Sequence, residues 1–600
     1  MSLPHRTTTE KLLRQVGHCA LLRSISLSVV ETCPSTLSFF GSAETECKIV
    51  QSLAQEASGI ALLAIVGVLI HDVILWKRLP PGPQPLPFVG NKFDIPKKYP
   101  WIQFQEWSYK YGPMYTLWFG RRPTIIISDP NVAAELMEKR STKYSSRPRF
   151  VVMGELLFGN SGILVAPYGK AWQLRRKALH SALTPRVLLN YRQVQEAEAA
   201  RLCYQLLERP EDYEPLIDRM TASIVFTISY GHRVDNLHSP IIRQRLKMMH
   251  RAAASNVPGR YLAESFPILK HIPDMFAGWK RELKAWGQES EVADLQLLNF
   301  VREDMENAKL PGARPIPNSL AKQLIEARDA DPASFALLGE RDFAGLPASL
   351  FGAGADTTAS TLCSSVLALI TNQETLHAAH AELDAVIGFD RLPTYADEPS
   401  LPYLRALCKE VLRWRPVAVL GGTPHASSEE DTYQGYYIPK GTNILGNSWA
   451  INRNEDYYPN ADHFNPLRFL DVDPRSLSYL PEKYVASTPV EKGRLAHPSK
   501  SGHSSFGWGR RICPGADLAS ANLYIALARL LWCFDIKPVK GTVYDTYDYT
   551  DGFNIRPNPF KCEITIRSPK HEAVLRSEFK ESQDFLFNNF PLFKEHEIVV

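Results

Sequence analysis

Along this chain, apolar positions recur every three to four residues far more often than every two. That period predicts helices over Arg186–Glu208, Trp279–Lys309, Asn318–Arg328 and Phe343–Ile370, and again over Glu374–Ile387, Pro402–Trp414 and Gly515–Phe534. Two runs read as strands instead, Pro113–Gly120 and Pro123–Ser128, joined at Arg121-Arg122. A short hairpin is predicted with Tyr436–Ile438 and Asn443–Leu445 as its arms and Pro439-Lys-Gly-Thr442 as its turn. The polar stretch Asp471–Ser504 reads as an irregular loop. No period of 20 to 50 residues repeats, which excludes a solenoid or propeller. The expectation is a mainly α fold with a small β region.

One segment follows a different rule. Ile60–Ile70 is apolar and uncharged; His71 and Asp72 interrupt it, and Val73–Trp76 resume. Residues 58–76 together approach the roughly 20 needed to cross a bilayer, and Lys77-Arg78 behind them place the downstream chain on the cytosolic side. Pro80-Pro-Gly-Pro-Gln-Pro-Leu-Pro87 can form neither helix nor central strand. Residues 77–91 are therefore expected as a semi-rigid hinge between a transmembrane anchor and the domain at 92–568. Residues 1–57 read as an extension of unknown role and residues 569–600 as a C-terminal tail.

Composition adds exclusions. The 600 residues are 44% hydrophobic and 22% charged, ordinary for a globular chain with a large core. A net charge of +4 over that length leaves no basic footprint for nucleic acid. Nine cysteines, widely spaced and without a C-x-x-C pair, point to a reducing compartment rather than a disulfide framework or a zinc site.

One of those cysteines sits in a distinctive setting, Phe506-Gly-Trp-Gly509-Arg-Arg511-Ile-Cys513-Pro-Gly515. A cysteine just before a helix N-terminus is well placed to hold a thiolate, because the dipole and free N–H groups there favour an anion. Upstream, Glu410-Val-Leu-Arg413 puts an acid and a base three apart on one helix face, and Phe464-Asn-Pro466-Leu-Arg468-Phe469 follows. Ala353-Gly-Ala-Asp356-Thr357-Thr358 lies inside the longest apolar helical run. Small residues beside hydroxyls can loosen a helix there and free a carbonyl to hold water. Trp172-Gln-Leu-Arg-Arg176 places Trp172 and Arg176 on one helix face.

The stretch around Cys513 resembles the haem-binding signature F-x-x-G-x-R-x-C-x-G of the cytochrome P-450 superfamily at all five fixed positions. By average residue usage, chance gives such a match roughly once in a few million registers. The other motifs resemble that superfamily's E-x-x-R, P-x-R-F, oxygen-binding and W-x-x-x-R elements, in its order, over about residues 79–568. The resemblance implies the helix-rich cytochrome P-450 fold, with haem between the Asp356 helix and the Cys513 loop. It makes Cys513 the axial iron ligand, whose thiolate favours O–O cleavage. Asp356 and Thr357 would deliver protons to bound oxygen. Trp172, Arg176, His425 and Arg511 would contact the propionates. Phe506 would shield the sulfur, Gly509 and Gly515 would allow close backbone approach, and Glu410, Arg413 and Arg468 would form a structural network. Pro439–Thr442 and Gly552–Ile555 look like strands near the substrate.

The implied reaction inserts one atom of O₂ into a small, largely apolar organic substrate. Electrons would come from NADPH through a separate flavoprotein, NADPH-cytochrome P-450 reductase, with a small electron-transfer haem protein as a further partner. No Rossmann or P-loop glycine motif is evident in this chain. The anchor suits a single-pass protein of the endoplasmic reticulum membrane. Arg413-Trp-Arg-Pro416, Gly422-Thr-Pro-His425 and Asn447-Ser-Trp449 look most like fungal members that tailor secondary metabolites. The substrate pocket is expected to be lined by the loop before Trp172, residues around Phe351 and Ala355, and Val417–Leu420. Two rival functions are a haem-thiolate isomerase or dehydratase that needs no external electrons, and a non-catalytic haem sensor or electron carrier. The first is disfavoured by the intact Asp356-Thr357 pair, and the second has no use for it.

Overall fold

The computed structural model describes residues 43–255, 260–487 and 495–593 and divides into two units, residues 1–72 and 73–600. Helix α1 (Ala43–Arg78) crosses that division. Its part from Gln55 to Arg78, 24 residues, is long and apolar enough to cross a membrane. At 1.5 Å per residue it measures about 36 Å, against a hydrocarbon core of about 30 Å. The two polar residues inside the apolar run pair with each other, His71 Nδ1 and Asp72 Oδ1 lying 3.2 Å apart.

The second unit is built mostly of helices. In chain order the longer ones are α2 (Pro100–Tyr111), α3 (Lys170–Ser181), α4 (Arg192–Glu208), α5 (Tyr213–Tyr230), α6 (Pro240–Ser255), α7 (Gly278–Asn307), α8 (Leu320–Ala330), α9 (Glu340–Thr371), α10 (Gln373–Val386), α11 (Pro402–Trp414), α12 (Ala516–Cys533) and α13 (Pro569–Asn589). Helix α9 is apolar nearly all round, as a helix surrounded by others must be. It packs on α5, α7 and α12 in the main core cluster. It starts where the Asp342 carboxylate accepts the Gly339 N–H at 3.2 Å. The same carboxylate accepts Arg175 Nη2 at 2.6 Å, which fixes α3 against the start of α9.

Among the described residues, eight strands form three small sheets. β1 (Met114–Phe119) and β2 (Arg122–Ile127) are antiparallel, in the register Met114↔Ile127. β3 (His425–Ala426) and β6 (Asn443–Gly446) complete a mixed sheet of order β1-β2-β6-β3. β4 (Asp431–Tyr433) pairs with β5 (Tyr436–Ile438), and β7 (Phe534–Pro538) with β8 (Cys562–Ile566).

The expected arms of the hairpin therefore do not meet. β5 turns back on β4 through Gln434-Gly435, both at positive φ, which is the backbone a two-residue hairpin turn requires. β6 instead runs parallel to β2, Ile444 opposite Ile125. The helix expected over Arg186–Glu208 opens with a four-residue turn, Pro185–Leu188, and a 3₁₀ turn, Leu189–Tyr191, before α4. Its apolar period survives because Val187, Leu188 and Tyr191 still face the core. The expected loop after Asp471 contains a short helix, Glu482–Ser487. Residues 569–600, to which the sequence pattern assigns no element, hold α13, which packs along α4. Of the 1–57 extension, residues 1–42 lie outside the described residues.

His503 is 2% exposed. Burial, reinforced by His497, Lys409 and Arg413, pulls its pKa down to about 3. The unfolded chain, with an ordinary histidine near 6.5, takes up a proton that the native state refuses. Stability from this group is thus complete above about pH 6.5 and declines as the pH falls toward 3. Urea unfolding between pH 7 and pH 5 is expected to show that decline, by up to about 1.4 kcal/mol per pH unit. His503→Gln should lessen that slope by this one group's share, leaving the part due to other buried histidines such as His425; an unchanged slope in the variant would contradict the assignment.

Candidate active site

Cys513 is carried on a loop whose shape depends on glycine. Gly509 has φ +55°, and a Cβ on it would lie 2.0 Å from the Met137 carbonyl oxygen. The close approach that demands glycine here is thus to the 134–139 helical turn, not to a ligand. Gly515, by contrast, has open space where a Cβ would stand. The loop closes when the Cys513 N–H donates to the Phe506 carbonyl at 2.8 Å, and α12 begins three residues later. The Cys513 side chain is accessible, yet protein surrounds it closely enough that burial raises its pKa. Both hold for a thiol that faces a cleft within the fold. The Gly515 N–H and the Arg176 charge act the other way and favour the thiolate.

Around the same cleft gathers a set of cations. Arg511 lies 4.0 Å over the Trp172 ring and donates to the carbonyls of Ser145 and Ala166, at 2.8 Å each. Trp172 Nε1 donates to Ile163 O at 3.2 Å. Arg176 Nη2 donates to Ile512 O at 2.7 Å. Arg147 is buried, and donates to Leu164 O at 3.1 Å and Thr423 O at 2.5 Å. Burial disfavours the charge on all three arginines; Arg511 adds repulsion at Arg147, and Arg176 helps pull Arg511 down to about 9. Buried His425 bonds through Nδ1 to Tyr144 O at 2.7 Å. Burial, with the charges of Arg147 and Arg511, takes it to about 3, so it is neutral. Among the described residues, Arg147, Arg176 and Arg511 have no ion-pairing carboxylate. Buried charge of one sign is expensive. Three guanidiniums and an indole around one cleft fit a flat group bearing two carboxylates, and the Cys513 sulfur fits its metal.

On α9, Ala353 is exposed and Thr357, one turn on, is partly so. These two open positions share a face, as residues four apart must. Phe351 and Ala355, expected as pocket walls, are packed away, Phe351 edge-on to Phe226 with ring centroids 5.4 Å apart. The helix is not loosened at the motif. Thr357 Oγ1 donates to Ala353 O at 2.8 Å, so the carbonyl expected to hold water is bonded within the helix. Gly354 serves close packing instead, since a Cβ there would lie 3.0 Å from the Val225 side chain of α5. Asp356 accepts a hydrogen bond from Asn554 Nδ2 at 3.0 Å.

The structure brings Glu410, Arg413 and Arg468 together. Arg413 donates to both Glu410 oxygens at 2.7 Å, and Arg468 Nε to Glu410 Oε1 at 3.3 Å; all three side chains are fully buried. The Asn465 N–H supplies a further bond to Oε1, at 2.8 Å.

Two participants escape sequence reasoning. Arg147, in Ser-Ser-Arg-Pro-Arg, carries no signal beyond its charge, and Asn554 is one polar residue in a loop.

A helix-rich body with a thiol on a glycine-shaped loop facing a carboxylate-seeking cleft defines a haem-thiolate enzyme. Residues 80–564 match the family model Cytochrome P450. The chain is 36% identical over 507 residues to Cytochrome P450 monooxygenase 58 of Postia placenta, covering 82% of this chain and 89% of that protein. A cytochrome P450 monooxygenase of Armillaria gallica is 34% identical over 541 residues, 88% of this chain and 98% of the relative. Cytochrome P450 monooxygenase FrzL of Cladobotryum is 33% identical over 533 residues, 86% and 93%. The chain belongs to the cytochrome P450 family and is a haem-thiolate monooxygenase.

Arg147→Leu removes a buried cation without orphaning a carboxylate. Haem transfer to excess apomyoglobin should then quicken roughly tenfold, the worth of one charge-assisted hydrogen bond of about 1.5 kcal/mol. The haem-free variant should still fold, its loss limited to the two carbonyl bonds of Arg147. An unchanged transfer rate would remove Arg147 from the site.

Proposed function

We propose that this chain is a membrane-anchored monooxygenase of fungal secondary metabolism, held by residues 58–76 in the endoplasmic reticulum membrane with its 92–568 domain in the cytosol. Its substrate is a small, largely apolar molecule, and its electrons come from NADPH through a flavoprotein reductase. The observation that carries the reading is the convergence on one cleft of an accessible thiol and a cationic cluster without carboxylates. When bound, haem supplies the iron at which O₂ is split, one atom entering the substrate and the other leaving as water.

The chain's own residues hold and serve that group. Cys513 would hold its iron through the sulfur, with the Gly515 N–H and Arg176 opposing the rise in thiol pKa that burial causes. Arg147, Arg176, Arg511 and Trp172 would receive its propionates, with His425 beside Arg147 and Arg511 as a further contact. Phe506 covers the sulfur. The Thr357 hydroxyl, on the open face of α9, orients and passes a proton that Asp356 replenishes. Glu410, Arg413 and Arg468 keep the supporting segments in place. Ala353, apolar and on the open face of α9, is a position that such a substrate would meet.

Membranes containing the chain and a flavoprotein reductase, given NADPH and isotopically labelled O₂, are expected to place one labelled atom in a compound from a panel of small apolar substrates. Thr357→Ala should retain haem yet lower product per NADPH by roughly tenfold or more, releasing peroxide instead. Product formed without NADPH or O₂ would establish the isomerase or dehydratase reading in its place.

A further inference from the structure

The chain runs on beyond residues 80–564, the span that matches the family, and the continuation is built into the core. Helix α13 packs along α4, with the Phe579 ring stacked on Tyr204 at 3.9 Å between centroids. After α13 the backbone docks on the turn that follows α5. The Arg233 N–H donates to Pro591 O at 2.9 Å, and the Phe593 N–H to Arg233 O at 3.0 Å. Leu592 thereby pairs in parallel with Arg233 as an isolated β-bridge. Arg233 Nε adds a third bond, to Phe590 O at 3.0 Å.

Phe593 is where this segment meets the helices. Its ring stands edge-on to Phe226 of α5, with centroids 5.2 Å apart, and edge-on to Phe300 of α7 at 5.1 Å. Phe300 is backed in turn by His232, edge-on at 4.8 Å, so Phe593 is wedged against a supported ring. On the other side Phe226 meets Phe351 of α9 edge-on at 5.4 Å. Phe226 and Phe351 are fully buried. Edge-to-face pairs prefer a defined orientation, and a close-packed core has few voids to absorb a displaced ring. The line of contact from Phe593 to α9 is therefore continuous.

Phe351 lies across α9 from the open face. At about 100° per residue, Ala353 and Thr357 stand roughly 200° and 240° around the helix from it. Whatever presses on Phe351 thus sets how far the Ala353–Thr357 face projects toward the cleft. We propose that Phe590–Phe593 is a strap, and that Phe593 is a positioning residue for that face, acting through Phe226 and Phe351. The inference rests on the reading of Thr357 as the hydroxyl that passes a proton; Phe593 touches none of the reacting atoms. Without the Phe593 ring, Phe226 tips into the space it leaves, Phe351 follows, and the Thr357 hydroxyl draws back. A misplacement of about 1 Å arising far from the chemistry can cost about a hundredfold in rate, so even a fraction of that shift is measurable.

The test uses the full-length, haem-loaded chain in membranes as Phe593→Ala, Phe593→Leu, Leu592→Ala and Thr357→Ala. One readout needs no turnover: the C–O stretching band of the reduced carbon monoxide complex, which senses the nearest hydroxyl. Thr357→Ala should shift that band, and Phe593→Ala should shift it in the same direction with the Soret position unchanged. In turnover with NADPH and reductase, Phe593→Ala should raise peroxide released per NADPH by roughly three- to tenfold. Phe593→Leu, which refills much of the space without a ring edge, should move both readouts part of the way. Leu592→Ala trims a side chain of the same strap that is 40% exposed, and should match the parent. The proposal is overturned if Phe593→Ala melts earlier yet keeps the parent's C–O band and peroxide ratio, since Phe593 would then only fill the core. If Thr357→Ala leaves both readouts unmoved, the reading of Thr357 fails and takes the proposal with it. Should Phe593→Ala not accumulate, Phe593→Leu decides by the same two readouts.

Discussion

A carboxylate with no contact with water, Glu410, is the constraint on which the site depends. A carboxylate at that depth is costly unless its oxygens are bonded. Arg413 clasps both of them, while Arg468 and the Asn465 N–H complete the set. The bond pattern runs outward from there. Arg413 also donates to Asn452 O at 2.9 Å, and the Asn452 side chain accepts both the N–H and the hydroxyl of Ser504, each at 2.9 Å. Ser504 stands two residues before Phe506, whose carbonyl holds the Cys513 N–H. The buried charges therefore fix the loop that carries the thiol. Loss of one member of such a group leaves its partners uncompensated, a cost of about 3–5 kcal/mol.

The cleft shows the opposite electrostatics. Where Glu410 is fully matched, Arg147, Arg176 and Arg511 are bonded, among the described residues, only to carbonyl oxygens and the ring of Trp172. Burial raises the thiol of Cys513 and disfavours the three guanidiniums. One ligand relieves both, if it brings two carboxylates to the arginines and a metal to the sulfur. Matched charges build the scaffold, and unmatched ones select the proposed cofactor.

How much of this was legible in the sequence depends on how local each feature is. The Cys513 loop was legible because its parts are contiguous: a turn glycine, a closing hydrogen bond and a helix start all fall within ten residues. The long helices were legible from their period, and the β1–β2 hairpin from its alternation. The partner of β6 was not, because the choice between β5 and β2 is made by a segment more than 300 residues away in sequence. The open face of α9 was not either. A helix buried on nearly every side has no polar stripe to set its phase, and Phe351 and Ala355 look no less suitable than Ala353 until the packing of α5 and α6 is known. Arg147 and Asn554 gain their meaning only from what folding places beside them. Helix α13 was missed because its few core contacts, such as Leu575 and Leu586, are sparse along a charged stretch.

The most direct measurement of the central claim is the carbon monoxide difference spectrum of dithionite-reduced membranes containing the chain, beside Cys513→Ala. A strongly red-shifted Soret band, absent from the variant, is the expected result and establishes thiolate-ligated haem at Cys513. Folded protein that takes up haem without that shift, or takes up none, would contradict the account.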